Sequence, residues 1–481
     1  MTIPYGYFKI LPGRSTMTNT LPSLSRAALA ALLLATTALT ACTTIPQSAP
    51  FAAENSASTK TNPIADVATE DSWWTSYGDP QLNDVIDKAL NSSPDLAAAA
   101  GRLYKADAYT GSARASEYPT ASFLGGDLAL GNNAPISGVA LAGLNFGYEF
   151  DFWGKNRAAI TAAGNQAEAA QADQAQAKLV LTTAIAGAYI DLARLYDDRD
   201  LAERAVALKK ENLDLVGNKK TQGLTSDAEV QLASSGYYNA QSDLSALDEQ
   251  IGLTRNRIAA LAGLDPDYGQ TLTRPALKLP DAVTLPARID LNLIGRRPDV
   301  VAARWRAEAA SQQIKVAHAS FYPNINLMAF VGQLMLGDPA NMGSTMSSAG
   351  PAVTLPIFDG GRLNANLKGA EGEHAVAIAS YNGAVVNAMH EAADAVTSEK
   401  ALGQRLDDNI QALTASENAY NLVKSRYEGG LTDYATLLLA EQQVIAQRRA
   451  VADLQSRALT LNVALIKALG GSYDQATLAS N

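Results

Sequence analysis

The chain has 481 residues, 18% charged and 6% aromatic, with a formal net charge of −10. It is too apolar for a disordered acidic chain, and its 38 Lys and Arg form no basic block, which argues against a nucleic-acid partner. A single cysteine excludes an intramolecular disulfide and a Cys-rich metal site, and His318, His374 and His390 do not fall at a metal-ligand spacing.

The first predicted element is a leader. Residues 1–26 carry Lys9, Arg14 and Arg26 and no acid, and Ala27 to Leu39 is an apolar run of signal-peptide length. It ends in Leu39-Thr40-Ala41-Cys42, small residues before a thiol. This resembles a bacterial lipobox, with Cys42 the lipidation site and Thr43 after it favouring export to the outer membrane. Met17 is an alternative start, since residues 17–41 alone form a complete signal. Cleavage before Cys42 takes the net charge from −10 to −13. Residues 42–72, rich in Ser, Thr, Ala and Pro, read as a lipidated flexible tether. Past the leader no stretch reads as apolar for long enough to cross a membrane as a helix, so any crossing must use another device.

The body reads as two copies of one plan. Tyr118-Pro119-Thr120 matches Tyr322-Pro323-Asn324, and Phe152-Trp153-Gly154-Lys155 matches Phe358-Asp359-Gly360-Gly361. Gly223-Leu224-Thr225 matches Gly430-Leu431-Thr432, and the run from Ile258 to Gly263 matches that from Ile466 to Gly471. The offset drifts from 204 to 208. Residues 73–275 form a first repeat, 276–296 a linker, 297–472 a second repeat and 473–481 a tail. Each repeat is read as a helix, two β segments, a long helix, a tight turn and a returning helix.

The β segments are placed at 121–130, 139–150, 324–335 and 347–358. In the second, Ala140, Ala142, Leu144, Phe146, Tyr148 and Phe150 alternate with Asn145, Gly147 and Glu149. In the first, Leu124, Leu128 and Leu130 stand opposite Asp127. Gly131-Asn132-Asn133 and Gly337-Asp338-Pro339 are the turns. A small soluble sheet packed on helices fits the same pattern. If the strands enter a membrane, four of them cannot close a barrel, and several protomers must share one.

The long helices follow. No proline interrupts about 158–216, and Leu181, Ile185, Ala188, Leu192, Leu195, Arg199, Ala202, Val206, Lys209, Leu213 and Val216 step by four and three. Val385, Met389, Ala392, Val396, Glu399, Gly403, Leu406, Ile410 and Leu413 repeat that stepping. Sixty such residues make a rod of roughly 90 Å. Gly217 and Gly223 bracket a break, after which Thr225-Ser226-Asp227 caps the returning helix; Gly429-Gly430 and Thr432-Asp433 do the same in the second half.

The ordered set resembles the TolC-type outer membrane efflux proteins, in their NodT/OprM-like lipoprotein branch, over roughly residues 71–472. It comprises Trp73-Trp74, Gly78-Asp79-Pro80-Gln81-Leu82, Tyr148 to Lys155, Arg297-Pro298-Asp299, Ala319 to Pro323, Pro356 to Arg362, Arg426 to Gly430 and Ala468 to Gly471. The resemblance implies a mostly α protein with β. Its long periplasmic helical barrel carries a four-strand contribution to a shared trimeric transmembrane β-barrel. It implies an outer-membrane exit duct, a homotrimer lying in lipid, joined by a periplasmic adaptor to an inner-membrane pump of RND type. Ducts for type I protein secretion or metal export share that pattern. A lipid-anchored coiled-coil scaffold without a pore is the alternative of a different class.

Carried over residue by residue, Tyr427 matches a latch aromatic at the tip and Glu229 its carboxylate partner. The family's carboxylate nine residues after the hairpin glycine is replaced by Leu439, with Thr436 three before it, so three Leu439 side chains would form an apolar constriction. Asp227, Asp433 and Glu441 are the nearby charges. Trp153, Gly154, Gly360 and Gly361 are expected to shape the strand–helix junctions. Pro298 is expected in the first turn of a helix, with Asp299 beside its N-terminus as a cap, and Pro323 at the start of a strand. No nucleophile elbow, P-loop, Rossmann glycine set or metal triad is found, and His374 near Glu371 and Glu373 reads as helix surface. No enzymatic activity and no cofactor are expected.

Overall fold

A computed structural model describes residues 72–129, 138–279, 295–336, 344–471 and 473. The leader with Cys42, the tether up to residue 71, both expected strand turns and most of the linker lie outside the described residues. The chain divides into two units, 1–65 and 66–481, and every described residue belongs to the second.

A 3₁₀ turn, Trp73–Tyr77, leads into α1 (Pro80–Ser92) and α2 (Pro94–Arg114), then β1 (Thr120–Ala129) and β2 (Gly138–Phe150). The rod follows as α3 (Lys155–Thr221) and α4 (Asp227–Leu261), with a short α5 (Pro266–Thr271). The second half repeats this order as α6 (Pro298–Ala319), β3 (Asn324–Leu336), β4 (Ser344–Thr354), α7 (Arg362–Glu428) and α8 (Tyr434–Ala468). Both long helices have 67 residues and both returning helices 35. Sixty-seven residues at the α-helical rise span about 100 Å.

The repeat register is tighter than the sequence matches indicate. Gly154 and Gly361, both in the left-handed region, precede the two long helices, so Gly361 rather than Gly360 is the counterpart of Gly154. At the far end Gly263 and Gly470 close the returning helices with the same positive φ, which sets the final offset at 207 instead of 208. Gly217 does not break α3. The chain stays helical to Thr221, and Gly223 takes the positive φ while Leu224 N–H closes on the Lys219 carbonyl.

The first expected seam is buried from Leu181 through Leu195. In α7 the buried line runs through Ala388, Ala392, Ala395 and Leu402, so alternate expected positions are out by one residue, and Met389 is 39% exposed. The helix turns its alanine edge inward, where small side chains let neighbouring axes approach. An 18-residue window of α3 is apolar enough by length and composition to cross a membrane, against the sequence expectation, but 61% of it is buried within the fold. It supplies the main core: Ile185, Tyr189 and Leu192 pack with Trp73, Trp74, Tyr77, Leu82 and Ile86 and with Val463 and Ile466 of α8. Asp79 anchors this core. Its carboxylate caps α1 through the Gln81 amide at 2.9 Å, and accepts from the Tyr189 hydroxyl at 3.0 Å and the Ala276 amide at 2.8 Å.

Neighbours change along the rods. Near the sheet α3 lies against α2 and α6; further out it lies against α4 and α8. Eighteen residues of α3 are buried and only four of α7, although the two helices are equally long.

Candidate functional site: an open sheet and two hairpin tips

The four strands form one antiparallel sheet in the order β1-β2-β3-β4, with β1 and β4 as edges. β4 starts and ends earlier than expected, which leaves Pro356 to Gly361 for the turn into α7. Pro351 sits in this edge strand, where a missing N–H is tolerated. The registers Phe123↔Leu144, Leu144↔Val331, Phe150↔Ile325 and Ile325↔Val353 build one largely apolar face, which also carries Gln333, Thr345 and Ser347 toward one end. On it Phe123, Leu144, Phe146, Phe150, Leu327, Val331 and Val353 are all exposed. The opposite face carries Ser122, Asn145, Glu149, Asn326 and Ser348, together with Leu124 and Met328. Leu124 therefore belongs to the polar face, contrary to the expectation that the leucines of the first segment mark its apolar side. The register with β2, and not the strand's own composition, decides which parity faces which way.

On that polar face two glycines meet. Gly143 pairs with Gly332, and a Cβ built on Gly143 would lie 2.6 Å from the Gly332 Cα and 2.6 Å from Phe330 Cζ. Only glycine allows this approach, and such kinks are the means by which sheets curve. The outcome is a mixed-polar side and a largely apolar side, with hydrogen-bonding edges at both ends.

At the strand–helix junctions Asp151 accepts from the Asn156 and Arg157 amides at 3.1 and 3.0 Å, while Gly154 turns the chain into α3. Asp359 does the same for the Gly361 and Leu363 amides at 3.0 and 2.8 Å, with Gly360 and Gly361 both at positive φ. Trp153 joins the two repeats. Its ring stacks on Tyr322 at 4.7 Å, and its Nε1 donates to the Pro323 carbonyl at 2.7 Å. A cavity of about 260 Å³ lies beside it, lined among others by Glu149, Lys155 and Asn324.

The hairpin turns sit at the other end of the rods. Ser226 caps α4 through the Glu229 amide at 3.4 Å, and Asp227 pairs with Lys220. Asp433 caps α8, accepting from the Thr436 amide at 2.8 Å and its hydroxyl at 2.6 Å. The Thr436 hydroxyl and amide hold the Asp433 carboxyl below the ordinary carboxylate range. Asp433 and Thr436 are thus bound to each other as a cap.

A carboxylate with a depressed folded-state pKa stabilises above its unfolded value, near 3.9, and loses that effect as pH falls through the folded one. The Thr436 amide is therefore expected to stay protected from exchange below the usual carboxylate range. Asp433→Ala is expected to fray residues 434–437 at every pH, read by amide exchange at matched intrinsic rates.

The structure places the remaining tip residues individually. The Tyr427 ring lies 5.3 Å from Tyr434, and among the described contacts none joins Tyr427 to Glu229. Glu229 instead lines a groove between α3 and α4 with Lys209, Asn212, Val216 and Leu232. Glu441 pairs with Arg204 of α3. Leu439 is 66% exposed while Leu437 and Leu438 beside it are buried. Nearest the turns, the Tyr434 hydroxyl also crosses from one hairpin to the other by donating to Glu211, and sequence reasoning missed it. The only available signal was a tyrosine directly after the cap.

A second missed residue is Arg297, at the start of α6 and 3% exposed. It reaches Asp299 at 2.8 Å, Glu391 of α7 at 2.7 Å and the Ala468 carbonyl at the end of α8 at 3.2 Å. Pro298 holds the first helical turn as expected, but Asp299 accepts from the Arg297 guanidinium and from the adjacent Val300 amide, inside the helix rather than at its N-cap, which is Arg297.

A family profile described as outer membrane efflux protein matches residues 85–264 and 292–471. The multidrug resistance outer membrane protein MdtP of Escherichia coli O6:H1 is 30% identical over 427 residues, covering 84% of this chain and 87% of that one. The fusaric acid resistance protein FusA of Burkholderia cepacia is 36% identical over 321 residues, 62% of this chain and 59% of that relative's length. Among solved structures, the outer membrane protein VceC of Vibrio cholerae superposes with a TM-score of 0.75 at 38% identity, over 84% of this chain and 99% of that one.

Proposed function

The chain belongs to the outer membrane efflux protein family, and from that premise we propose that three copies build a passive exit duct for drugs or other small solutes. Each copy contributes four strands to a shared barrel of about twelve in the outer membrane. The observation that carries this reading is the sheet: largely apolar on one side, mixed-polar on the other, with a glycine pair at its centre, and open along both edges. In hydrocarbon an unpaired edge is prohibitively costly, so β4 of one copy pairs with β1 of the next. The sparsely buried α7 supports the same conclusion, because its own chain leaves a long flank uncovered that a neighbouring copy would cover.

In this reading the rods extend into the periplasm and the tips form the gate. An adaptor docks there and connects the duct to an inner-membrane pump of RND type. Lipid on Cys42 anchors each copy, which mass analysis of the mature N-terminus checks. Tyr427 braces Tyr434, and the exposed Leu439 gives a ring of apolar side chains that closes by dewetting. Energy enters through the pump, and no catalytic step is assigned to this chain.

The test is the oligomer mass in detergent followed by single-channel conductance in a planar bilayer. A trimer with discrete steps, enlarged by Leu439→Ala, is expected. A folded monomer without conductance in either form would overturn the shared barrel and favour a pore-less scaffold.

A further inference from the structure

The two repeats build their strand hairpins in one register. Thr120 faces Gly147 in the first, and Asn324 faces Thr354 in the second. Asn324 lies 204 positions after Thr120, the offset of the Tyr-Pro pairs before these strands. Thr354 lies 207 positions after Gly147, the offset of Gly361 from Gly154. β3 is thus the counterpart of β1, and β4 of β2, residue by residue. One difference remains. β2 runs three residues past Gly147 because β3 lies alongside it: Tyr148 pairs with Leu327, Glu149 with Asn326 and Phe150 with Ile325. β4 is an edge and stops at Thr354. Leu355, Pro356 and Ile357 are the counterparts of Tyr148, Glu149 and Phe150, and Leu355 and Ile357 are 50% and 94% exposed.

We propose that the joint between two copies repeats the β2–β3 seam inside one copy, with β1 of the next copy in the place of β3. Carried across by the two offsets, the β2–β3 register pairs Val353, Leu355 and Ile357 with Gly125, Phe123 and Ala121 of the next copy. Pairing also lengthens β4 by three residues, to Ile357. The inference rests on the shared barrel proposed above and deepens it by naming which residues meet where the copies join. Two features agree with this register. Val353 and Phe123 both lie on the largely apolar face, so that face continues across the joint, whereas a slip of one residue would set it against the polar face. Large side chains also meet small ones, Val353 against Gly125 and Ile357 against Ala121, as Phe146 meets Ala329 within a copy. Pro351 and Pro356 are an odd number of positions apart, so one of them turns its missing N–H to the joint, and the ladder lacks one bond there. The joint also lacks the lock of the internal seam. The counterpart of Trp153 is Gly360, and that of Tyr322 is Tyr118, 68% exposed. Closure therefore depends on the ladder and on these apolar pairs.

Disulfide trapping in the full-length protein tests this. Neighbouring strands lie about 4.8 Å apart, so β1 and β4 of one copy are separated by about 14 Å, beyond the roughly 7 Å limit for a disulfide. A bond between these strands can form only between copies. Leu355→Cys with Phe123→Cys is expected to give covalent trimers on oxidation, and each single variant none. The slipped pairs, Leu355→Cys with Ala121→Cys or with Gly125→Cys, are expected to give about tenfold less, because diagonal neighbours stand too far apart. If loss of Phe123 impairs assembly, Thr354→Cys with Leu124→Cys reads the same register from the polar face.

The oligomer mass in detergent separates the two readings. Trimers that cross-link best at a slipped pair, or at none of these pairs, would overturn the register and leave the shared barrel standing. Monomers without cross-links would overturn both.

Discussion

Replacing Gly143 by valine is expected to abolish assembly of the barrel while leaving the rods helical. The added Cβ would fall 2.6 Å from the Gly332 Cα, the Val331 carbonyl oxygen and the Phe330 ring. Two of those obstacles are backbone, which cannot swing aside as a flexible side chain can. Gly143 lies on β2 and Gly332 on β3, the two inner strands, so relief requires the sheet to change shape, flattening where a closed barrel would have to curve. A flattened sheet no longer presents its edges to neighbouring copies at the closing angle. Helical circular dichroism is expected to persist, because α3 and α7 depend on other contacts, while heat-resistant trimers and conductance disappear. Gly126→Ala is the control, since nothing lies within 4 Å of a Cβ there. Normal trimers from the valine variant would show that the glycine pair does not set the curvature.

Loss of Arg297 is the second large effect. One guanidinium joins the start of α6, the middle of α7 and the end of α8, donating to Asp299, Glu391 and the Ala468 carbonyl. Gly470 is shaped to it: a Cβ there would sit 2.9 Å from the Arg297 Cα. Arg297→Ala leaves two carboxylates without their shared cation and a terminal helix carbonyl without this donor. The cost expected is about 2 kcal/mol, below that of a fully buried pair because the Asp299 and Glu391 side chains left behind are 32% and 48% exposed. Arg297→Lys is expected to recover only part of it, because an ammonium cannot fork toward both acids as a planar guanidinium does. Denaturant unfolding at fixed protomer concentration reads the difference. A loss below about 1 kcal/mol would mean that packing around Gly470, and not the ion pairs, holds this junction.

The sequence exposed whatever depends on local chemistry. Caps at Ser226 and Asp433, left-handed glycines at 154, 223, 361 and 430, proline at the head of α6 and the duplicated order of elements follow from residues close in the chain. What it concealed depends on distant partners. β1 offers Phe123 on one parity and Leu124 on the other, and only pairing with β2 chooses between them. In α7, alanine occurs so often that several helical phases look equally apolar, and the neighbours α6 and α8 select the one through Ala388, Ala392 and Ala395. Glu441 and Arg204 stand 237 positions apart, Tyr434 and Glu211 223 apart. A charged residue on a long exposed helix gives no local sign of a partner so remote. The candidate gate was legible as a place, through its hairpin turns, and not as a set of contacts.

The unequal burial of two rods of equal length has a consequence for biogenesis. A freshly exported protomer can complete α3 from its own chain, since α2, α4, α6 and α8 all close upon it. It cannot complete α7 in the same way. α3 therefore matures once its own chain has folded, while in the proposed three-copy assembly α7 stays the least protected stretch until it meets another copy. Its lifetime is then governed by encounter rate, and hence by how fast protomers are delivered. In the proposed periplasmic setting, slow delivery would prolong exposure of α7 to proteases, and rapid delivery would rescue the same sequence without any change in its intrinsic stability.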